Sequence, residues 1–279
     1  MNPTHAAPLA EAQSIWMCDP THFDVAYVIN PHMAKHVGGV DRALARQQWE
    51  HLKNAFERAG LNVTVLPAVK DLPDLCFAAN QTFPLRDTTG TVVRSKMAAP
   101  QRRPEVDHVA EHWRRAGHPI VELRSEGPFE AGGDGLWYPG RRLILAGVGP
   151  RSTREAWDEV SRIGRVPVVP FDLVHPRYYH LDTCLCPLDP DCALYVPEAF
   201  TDQGVRDIRR LFPEAEPLPS AEAQQLAANG VAIGRHFFVQ ANSPVSRSVA
   251  AARGFTVVEV ETSEFLKSGG SVTCLHLRF

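Results

Sequence analysis

Apolar residues recur at helical spacing in the first quarter of the chain. Leu52 and Phe56 lie four positions apart, so they share one face of a predicted helix. Asp41 is a typical N-cap for that helix, and Gly60 supplies the left-handed residue at which it can stop. Residues 62–66 (Asn-Val-Thr-Val-Leu) are rich in β-branched side chains and predict a strand. The first recognisable unit is therefore a helix, a glycine stop and a strand.

The same order returns along the rest of the chain. Each later helix ends near a glycine or proline, and an apolar strand, a polar segment and a second strand follow it. A capping box of Ser152 and Glu155 predicts where one of these helices starts. The predicted helices cover 105–116, 152–164, 205–212 and the residues around 245–249. The other predicted strands cover 23–29, 119–123, 143–146, 166–170, 193–196, a hairpin at 231–239, and 255–260.

Five such units fill residues 1–279 without a linker, which predicts an α/β fold built as one repetitive domain. The polar segments carry distinctive residues at equivalent places in their units. These residues are Asn80, Glu130, His180, Asn229 and Cys274. A closed arrangement of the units would bring them to one central pocket, assembled from distant parts of the chain.

The composition narrows the classes of partner. Of 279 residues, 44% are hydrophobic and 22% charged, and the formal net charge is −3. We find no basic excess that would favour nucleic acid, no apolar run of membrane-spanning length and no secretion signal at the N-terminus. We therefore expect a cytoplasmic protein that binds a small molecule. The composition is compatible with a homo-oligomer and does not predict one.

The six cysteines are expected to be free thiols, because a long chain without a secretion signal needs no disulfide framework. Cys184 and Cys186 are too close together for the usual zinc or redox spacing. Cys274 differs because Gly269 and Gly270 precede it in a stretch predicted to be a short strand, and glycines let a ligand approach the backbone. Cys274 is the candidate nucleophile, although a cysteine on an apolar strand is more often a small buried hydrophobe.

His180 is the candidate acid–base partner of Cys274, because an imidazole can protonate a leaving amine. Glu130 and Asp182 are candidate ligands for a planar cation such as guanidinium, which carboxylates bind through paired hydrogen bonds. Asp182 follows His180 by two residues, which would place both on one face of a strand. Taken singly, a core histidine, a turn aspartate and a loop glutamate explain these residues equally well.

The carboxylates lack the spacing of common metal sites, so we expect no metal, and thiol chemistry requires no cofactor. Arg151 lies just before a predicted helix start, where a positive charge gains nothing from the helix dipole. A ligand carboxylate is therefore a reasonable partner for Arg151, and Arg102 is a second candidate for the same task. Asn80 could be no more than a turn residue.

Three segments resemble the guanidine-modifying enzymes: Phe129–Asp134, Tyr179–Thr183 and Gly269–Cys274. This superfamily includes dimethylarginine dimethylaminohydrolases, arginine deiminases, arginine dihydrolases, citrulline hydrolases and amidinotransferases. The resemblance covers almost the whole chain, from Met17 to the C-terminus. It implies a five-bladed α/β propeller, the pentein fold, and a cysteine-dependent hydrolase that cleaves guanidino or ureido C–N bonds through a thiouronium-type intermediate.

The resemblance also implies a role for each site residue. Cys274 matches the nucleophile, His180 the acid–base, and Glu130 with Asp182 the carboxylates that bind the guanidinium. Three further residues match positions that hold the substrate carboxylate or lie near the pocket mouth: Arg102, Arg151 and Asn30.

Asn80 departs from part of the superfamily. Dimethylaminohydrolases and deiminases typically have aspartate there, whereas asparagine resembles the dihydrolase and citrulline-hydrolase branch. The missing charge makes a neutral ureido substrate, or a second turnover of a ureido product, more plausible. Gln81 and Thr82 differ from the small residues expected in that branch, so arginine, dimethylarginine and citrulline all stay open as substrates.

Two other functions are compatible with the resemblance. An amidinotransferase would pass the same intermediate to an amine, but the short chain leaves little length for an acceptor site. A binding protein without activity is the second alternative, since ribosome-associated anti-association factors resemble the same propeller. The joint presence of Cys274, His180 and Glu130 favours an enzyme.

Overall fold

Fifteen short strands form five three-stranded sheets in the structure, a computed structural model that describes residues 3–279. The helices are Arg42–Arg58 (α1), Arg103–Arg115 (α2), Ala131–Asp134 (α3), Arg154–Gly164 (α4), Asp202–Leu211 (α5), Ser220–Gln224 (α6), Pro244–Ala252 (α7) and Ser263–Leu266 (α8). The strands are Ser14–Cys18 (β1), Asn62–Leu66 (β2), Thr82–Pro84 (β3), Val92–Arg94 (β4), Ile120–Glu122 (β5), Gly135–Trp137 (β6), Ile144–Val148 (β7), Val168–Asp172 (β8), Leu185–Pro187 (β9), Ala193–Tyr195 (β10), Glu216–Pro217 (β11), Val231–Ile233 (β12), His236–Gln240 (β13), Thr256–Val260 (β14) and Leu277–Arg278 (β15).

Every sheet has the same internal order. A middle strand pairs antiparallel with one neighbour and parallel with the strand that follows a helix. The sheets are β15-β1-β2, β3-β4-β5, β6-β7-β8, β9-β10-β11 and β12-β13-β14. The five predicted repeats are therefore confirmed as five sheets, each with a helical crossover between its parallel strands.

The first sheet is completed by a strand from the other end of the chain. Trp16 of β1 is paired with Leu277 of β15, and Ile15 with Arg278. On the opposite side, β1 runs parallel to β2. The polar segment that belongs to the first sheet is consequently the one that contains Cys274.

Helix α1 forms where its capping and amphipathic pattern predict it. The Asp41 side chain accepts hydrogen bonds from the N–H groups of Ala43 and Leu44, both at 3.0 Å. The helix buries Trp49 and Phe56 among other apolar side chains. Capping of this kind satisfies backbone donors that a helix start leaves free, and the predicted N-cap is confirmed.

The core also anchors the segment that leads to the site. Trp157 of α4 packs edge-on against Phe129, with 4.9 Å between ring centroids, and its indole N–H donates to the carbonyl of Gly147. Both aromatic side chains are almost fully buried. The residue before Glu130 is thus held by packing.

Two predicted strands are wrong. Residues 23–29 form no strand; Phe23 and Val25 are buried, whereas Tyr27 turns to donate to Asp74. Sequence periodicity overlooked Ser14–Cys18, which takes the predicted place. Cys274 lies in a turn before β15, because the N–H groups of Leu275 and His276 donate to the carbonyls of Ser271 and Thr273.

The predicted capping box is also wrong. Thr153, and not Ser152, is the N-cap of α4, and its Oγ1 accepts from the N–H of Ala156. The helix runs through Gly164, and Arg165 takes the left-handed conformation in which glycine was expected. Ser152 is thereby free for a different set of hydrogen bonds. No helix within residues 3–279 combines the length and the apolarity needed to cross a bilayer.

Candidate active site

The sulfur of Cys274 lies inside the protein, on a side chain that is 3% exposed. Its S–H donates to Oδ2 of Asp182 at 3.2 Å, and Nδ2 of Asn229 donates to the sulfur at 3.3 Å. Gly270 makes room for this turn, since a Cβ there would lie 2.4 Å from the ring of Phe77. The glycine-led approach to the sulfur is a packing requirement.

Cys274 and Asp182 are two acids buried side by side. Burial, and then the charge of Asp182, raises the pKa of the Cys274 thiol well above its ordinary value. Burial raises the pKa of Asp182 to about 7, against the opposing effect of the hydrogen bond from Cys274. Within the described chain, Oδ1 of Asp182 is buried and accepts no hydrogen bond. The pair thus offers free acceptor capacity to a ligand rich in N–H groups.

His180 is directed at Glu130. Its Nε2 is 2.9 Å from Oε2 of Glu130, and both side chains are buried. Gly133 permits this approach, because a Cβ there would lie 2.8 Å from Nδ1 of His180 and 2.4 Å from Nδ2 of Asn80. The imidazole and the Asn80 amide therefore converge over a glycine.

The expected shared strand face of His180 and Asp182 is wrong. A 3-10 turn at Leu181–Thr183 separates the two side chains. His180 bonds to Glu130, whereas Asp182 bonds to Cys274. The two residues reach one site from different directions.

Glu130 is a fully buried carboxylate with three kinds of donor. Arg151 Nη1 donates to its Oε2 at 2.9 Å, and the N–H of Ala98 donates to Oε1 at 3.0 Å. Burial alone would raise the pKa of Glu130, but the hydrogen bond and charge of His180, followed by the charge of Arg151, lower it to about 2. Glu130 is therefore ionised wherever the protein is folded near neutral pH.

Asp134 and Ser152 connect the segments that carry this pair. Ser152 Oγ accepts from the N–H of Glu130 at 3.0 Å and donates to Oδ2 of Asp134 at 2.7 Å. Asp134 Oδ1 accepts from the N–H of Leu181 at 3.1 Å, next to His180. Burial raises the pKa of Asp134 to about 7. The sequence pattern assigned Ser152 only to a helix cap and assigned Asp134 no role; the nearest signal for Asp134 was its place at the end of the segment Phe129–Asp134.

Arg102 is held almost entirely by the protein. Its Nε and Nη2 donate to the carboxylate of Glu105, and Nη2 also donates to the carbonyl of Asp74 at 3.2 Å. Nη1 donates to Oδ1 of Asn80 at 3.0 Å. The amide nitrogen of Asn80 is consequently turned away from Arg102, and it is buried without a hydrogen-bond partner in residues 3–279.

Arg151 and Asn30 both line the pocket. Arg151 Nη2 donates to the carbonyl of Ile29 at 2.7 Å, and its guanidinium lies over the Tyr179 ring at 5.0 Å. Asn30 Nδ2 donates to the carbonyl of Ser268 at 2.9 Å. These contacts join residues 29–30 to the segments that carry Arg151 and Ser268.

The cavity enclosed by these segments has a volume of about 10 Å³, room for roughly one water molecule. Its lining residues are Ile29, Asn30, Met33, Asp74, Phe77, Asn80, Arg102, Arg151, Tyr179, Ser268, Gly270 and Cys274. A groove of about 750 Å³ beside α2 contains none of the predicted site residues. Chemistry, and not cavity size, marks the candidate site.

The structure brings all eight predicted site residues together. Asn30, Asn80, Arg102, Arg151 and Cys274 line the cavity. Glu130 is hydrogen-bonded to Arg151 and Asp182 to Cys274, and His180 is hydrogen-bonded to Glu130. Their catalytic and binding roles stay predictions. In the part of the chain from 3 to 279, no cluster of three or more His, Cys, Asp or Glu side chains could hold a metal ion.

Asn229 is a residue at the sulfur to which sequence reasoning gave no role. It occupies the place in its unit that Asn80 occupies in another unit, and Ala-Ala-Asn occurs at both 78–80 and 227–229. That repetition was the available signal.

Comparison with known proteins gives clear relatives. The chain is 36% identical over 261 residues to the N(G),N(G)-dimethylarginine dimethylaminohydrolase of Mycobacterium tuberculosis, covering 94% of this chain and 84% of the relative. It is 34% identical over 264 residues to the bifunctional arginine dihydrolase/ornithine cyclodeaminase AgrE of Nostoc, covering 94% of this chain but only 37% of AgrE. No protein-family model matches the chain.

Among solved structures, the N-terminal domain of ArgZ superposes with a TM-score of 0.90 at 31% identity, covering 95% of this chain and 97% of that domain. That structure is a cysteine-to-serine variant bound to substrate, and the protein is described as an arginine dihydrolase from the ornithine-ammonia cycle in cyanobacteria. A second ArgZ structure, in which asparagine is replaced by serine, holds a covalently bound reaction intermediate.

Proposed function

Because the chain belongs to the family of dimethylarginine dimethylaminohydrolases and arginine dihydrolases, we propose that it is a cysteine-dependent hydrolase of guanidino or ureido C–N bonds. The observation that carries this proposal is one buried pocket with a thiol and a carboxyl group in contact. Cys274 Sγ lies 3.2 Å from Asp182 Oδ2. In the neighbouring pair, His180 Nε2 lies 2.9 Å from Glu130 Oε2. A nucleophile, an acid–base group and two carboxylates are what C–N hydrolysis of a guanidinium requires.

Cys274 loses its S–H proton to bulk water, and the resulting thiolate attacks the guanidino carbon while Asp182 and Glu130 accept hydrogen bonds from the nitrogens. His180 then donates a proton to the departing ammonia or methylamine. In the second half of the reaction, His180 takes a proton from water, and the water oxygen attacks the thiouronium carbon and releases Cys274. Glu130 stabilises the imidazolium that this cycle needs, because it is an ionised carboxylate 2.9 Å away.

Arg151 and Arg102 are the proposed partners of the substrate carboxylate, with Asn30 at the entrance. A pocket of about 10 Å³ is far smaller than an amino acid, so substrate entry requires movement at the mouth. The hydrogen bonds of Arg151 to Ile29 and of Asn30 to Ser268 join segments that must separate. Binding therefore exchanges these internal hydrogen bonds for bonds to the substrate.

Asn80 favours a ureido substrate, or a ureido product that reacts again. Arg102 holds its Oδ1, so the free Nδ2 presents two N–H donors to the pocket. A ureido oxygen accepts such donors, whereas the N–H groups of a guanidinium do not. We therefore propose that arginine is hydrolysed beyond citrulline to ornithine.

Cys274→Ala tests the chemistry. This variant should bind arginine but release no ammonia, because the thiol that attacks the substrate is missing. Cys18→Ala is the matched control, since Cys18 is also buried but lies in β1. Normal ammonia release by Cys274→Ala would overturn the proposed function.

The substrate is tested by product analysis. The protein is incubated separately with arginine, dimethylarginine and citrulline, and ammonia, methylamines, citrulline and ornithine are measured. Ornithine from arginine and from citrulline is the expected result. Citrulline as the sole amino-acid product would contradict the role given to Asn80 and leave the thiol mechanism intact.

The same proposal extends to the architecture and location. We propose that residues 1–279 form a single domain, with the five units arranged around a central pseudo-fivefold axis as in the pentein propeller. Equivalent placement of Asn80 and Asn229 in two units supports this arrangement. The six free cysteines favour a reducing compartment, so we place the protein in the cytoplasm.

A further inference from the structure

Asn229 is fixed beside the sulfur by all of its hydrogen-bonding groups. Its Oδ1 accepts from the N–H of Ser271 at 3.0 Å and from the N–H of Cys274 at 3.3 Å. Its Nδ2 donates to the carbonyl of Asp182 at 2.9 Å and to Cys274 Sγ at 3.3 Å. A side-chain amide has two acceptor and two donor positions, and here all four are used. The nitrogen must therefore face the sulfur.

The backbone around Asn229 is also fixed, by a turn and by a hydrogen bond to the cysteine segment. The residue ends a 3-10 turn, Ala227–Asn229, that follows Leu226 in the left-handed conformation at φ +55°. A leucine in this region is strained and persists where the surrounding structure enforces it. The carbonyl of Asn229 accepts from the N–H of Thr273 at 2.9 Å. Asn229 and the cysteine turn are thus one hydrogen-bonded assembly.

The charged groups near Cys274 Sγ disfavour its thiolate form, so a hydrogen-bond donor such as Asn229 Nδ2 is needed to stabilise it. Asp182 opposes a negative sulfur at 3.2 Å, and within residues 3–279 no other side chain donates to Cys274 Sγ. The His180 ring nitrogen that has a protein partner is bonded to Glu130. The remaining charged or titratable groups of the cavity are Asp74, Arg102, Arg151 and Tyr179. Asn229 is not among the cavity-lining residues, so it contacts the sulfur without reaching the substrate space.

We propose that Asn229 is a catalytic residue that stabilises the thiolate of Cys274 by donating from Nδ2 while its Oδ1 holds the cysteine turn. This inference rests on the proposed function, in which Cys274 is the nucleophile. A hydrogen bond to a charged acceptor is stronger than one between neutral groups, so the Asn229–sulfur bond strengthens when the thiol loses its proton. The amide thereby favours the reactive form against the nearby carboxylate.

The test is the pH dependence of iodoacetamide labelling of Cys274 in the absence of substrate. Asn229→Asp keeps the acceptor for the two backbone N–H groups and loses the donor to sulfur; Asn229→Ala loses the donor without adding charge. In both variants the midpoint of labelling should rise by about one to two pH units. Asn62→Asp, at an exposed position of β2, is the charge-matched control and should leave the midpoint unchanged. Cys274→Ala supplies the background.

A wild-type midpoint in folded Asn229→Ala would overturn the proposal, even if Asn229→Asp were shifted, because charge alone would then explain the shift. If Asn229→Ala does not fold, Asn229→Leu, which has a similar volume but neither a donor nor a charge, replaces it in the same labelling test. A labelling midpoint raised by about one to two pH units in Asn229→Leu supports the proposal, and a wild-type midpoint overturns it. Since labelling needs no substrate, its outcome is separate from whether the protein hydrolyses guanidino groups.

Discussion

Replacing Asn80 by aspartate should convert the proposed two-step hydrolysis of arginine into a one-step hydrolysis that stops at citrulline. The carboxylate would keep one oxygen on Arg102 Nη1, which lies 3.0 Å from Oδ1 in the present structure. The other oxygen would occupy the position of Nδ2, which shares the space above Gly133 with Nδ1 of His180. A group that now donates to the pocket would accept instead.

The size of the effect follows from that reversal. A guanidinium N–H gains a bond to a charged acceptor, about 1.5 to 3 kcal/mol, and a ureido oxygen loses its donor at a cost of about 1 to 3 kcal/mol. The two terms act in opposite directions on the two substrates. Discrimination between arginine and citrulline should therefore change by roughly 3 to 5 kcal/mol, or about 10²- to 10⁴-fold in the ratio of their kcat/KM values.

The assay compares the kcat/KM of wild type and Asn80→Asp on arginine and on citrulline, with amino-acid products separated chromatographically. We expect the variant to accumulate citrulline from arginine and to hydrolyse added citrulline poorly. Asn62→Asp controls for net charge. Ornithine formation by Asn80→Asp at the wild-type ratio would refute the assignment of the amide as a donor to the ureido oxygen.

Three further predictions concern the buried carboxyl groups and a helix cap. Glu130→Gln should lower kcat about 10²- to 10⁴-fold, the usual effect of losing acid–base catalysis, with KM measured alongside to show a smaller change. The pKa of Glu130 is about 2 in the folded protein, below its unfolded value, so ionised Glu130 stabilises the fold above about pH 4.5. The difference in melting temperature between wild type and Glu130→Gln should therefore shrink as the pH falls toward 2. A difference that stays constant with pH would contradict this prediction. Asp134 keeps its proton up to about pH 7 in the folded protein but loses it near pH 4 in the unfolded chain, so the stability of the wild type falls as the pH rises from 4 to 7. Across this range the melting temperature of Asp134→Asn should rise relative to that of the wild type. A difference that does not change with pH would contradict this prediction. Asp41→Ala should cost about 0.5 to 2 kcal/mol of unfolding free energy by denaturant titration, without altering kcat.

Much of the architecture was readable because local signals agreed with tertiary structure. Asp41 caps its helix as predicted, and the residues chosen for the pocket do converge there. Periodicity failed for residues 23–29, because that segment buries alternate residues while its polar groups bond to the pocket walls rather than to a strand. Sequence patterns record burial, but they do not record the partner that completes a backbone hydrogen bond.

The site shows the same limit at the level of single side chains. Ser152 satisfies the sequence rule for a helix cap, yet Thr153 is the cap and Ser152 bonds to Asp134. The sequence shows only that Asn229 occupies the same place in its unit as Asn80. Its proposed role at Cys274 depends on its four hydrogen bonds, which only the structure shows. Such assignments depend on three-dimensional competition among neighbouring donors and acceptors.

The pairing of β1 with β15 makes the nucleophile dependent on the order of synthesis. Strand Leu277–Arg278 joins a partner about 260 positions earlier, a contact with a large loop-closure cost. Domains emerge from the ribosome amino end first, so β1 waits while the intervening units are made. Cys274 lies just before β15, so it meets Asp182 and Asn229 when that strand joins β1. A partly synthesised chain that stops before Leu277 therefore lacks the assembled contacts of the Cys274 thiol.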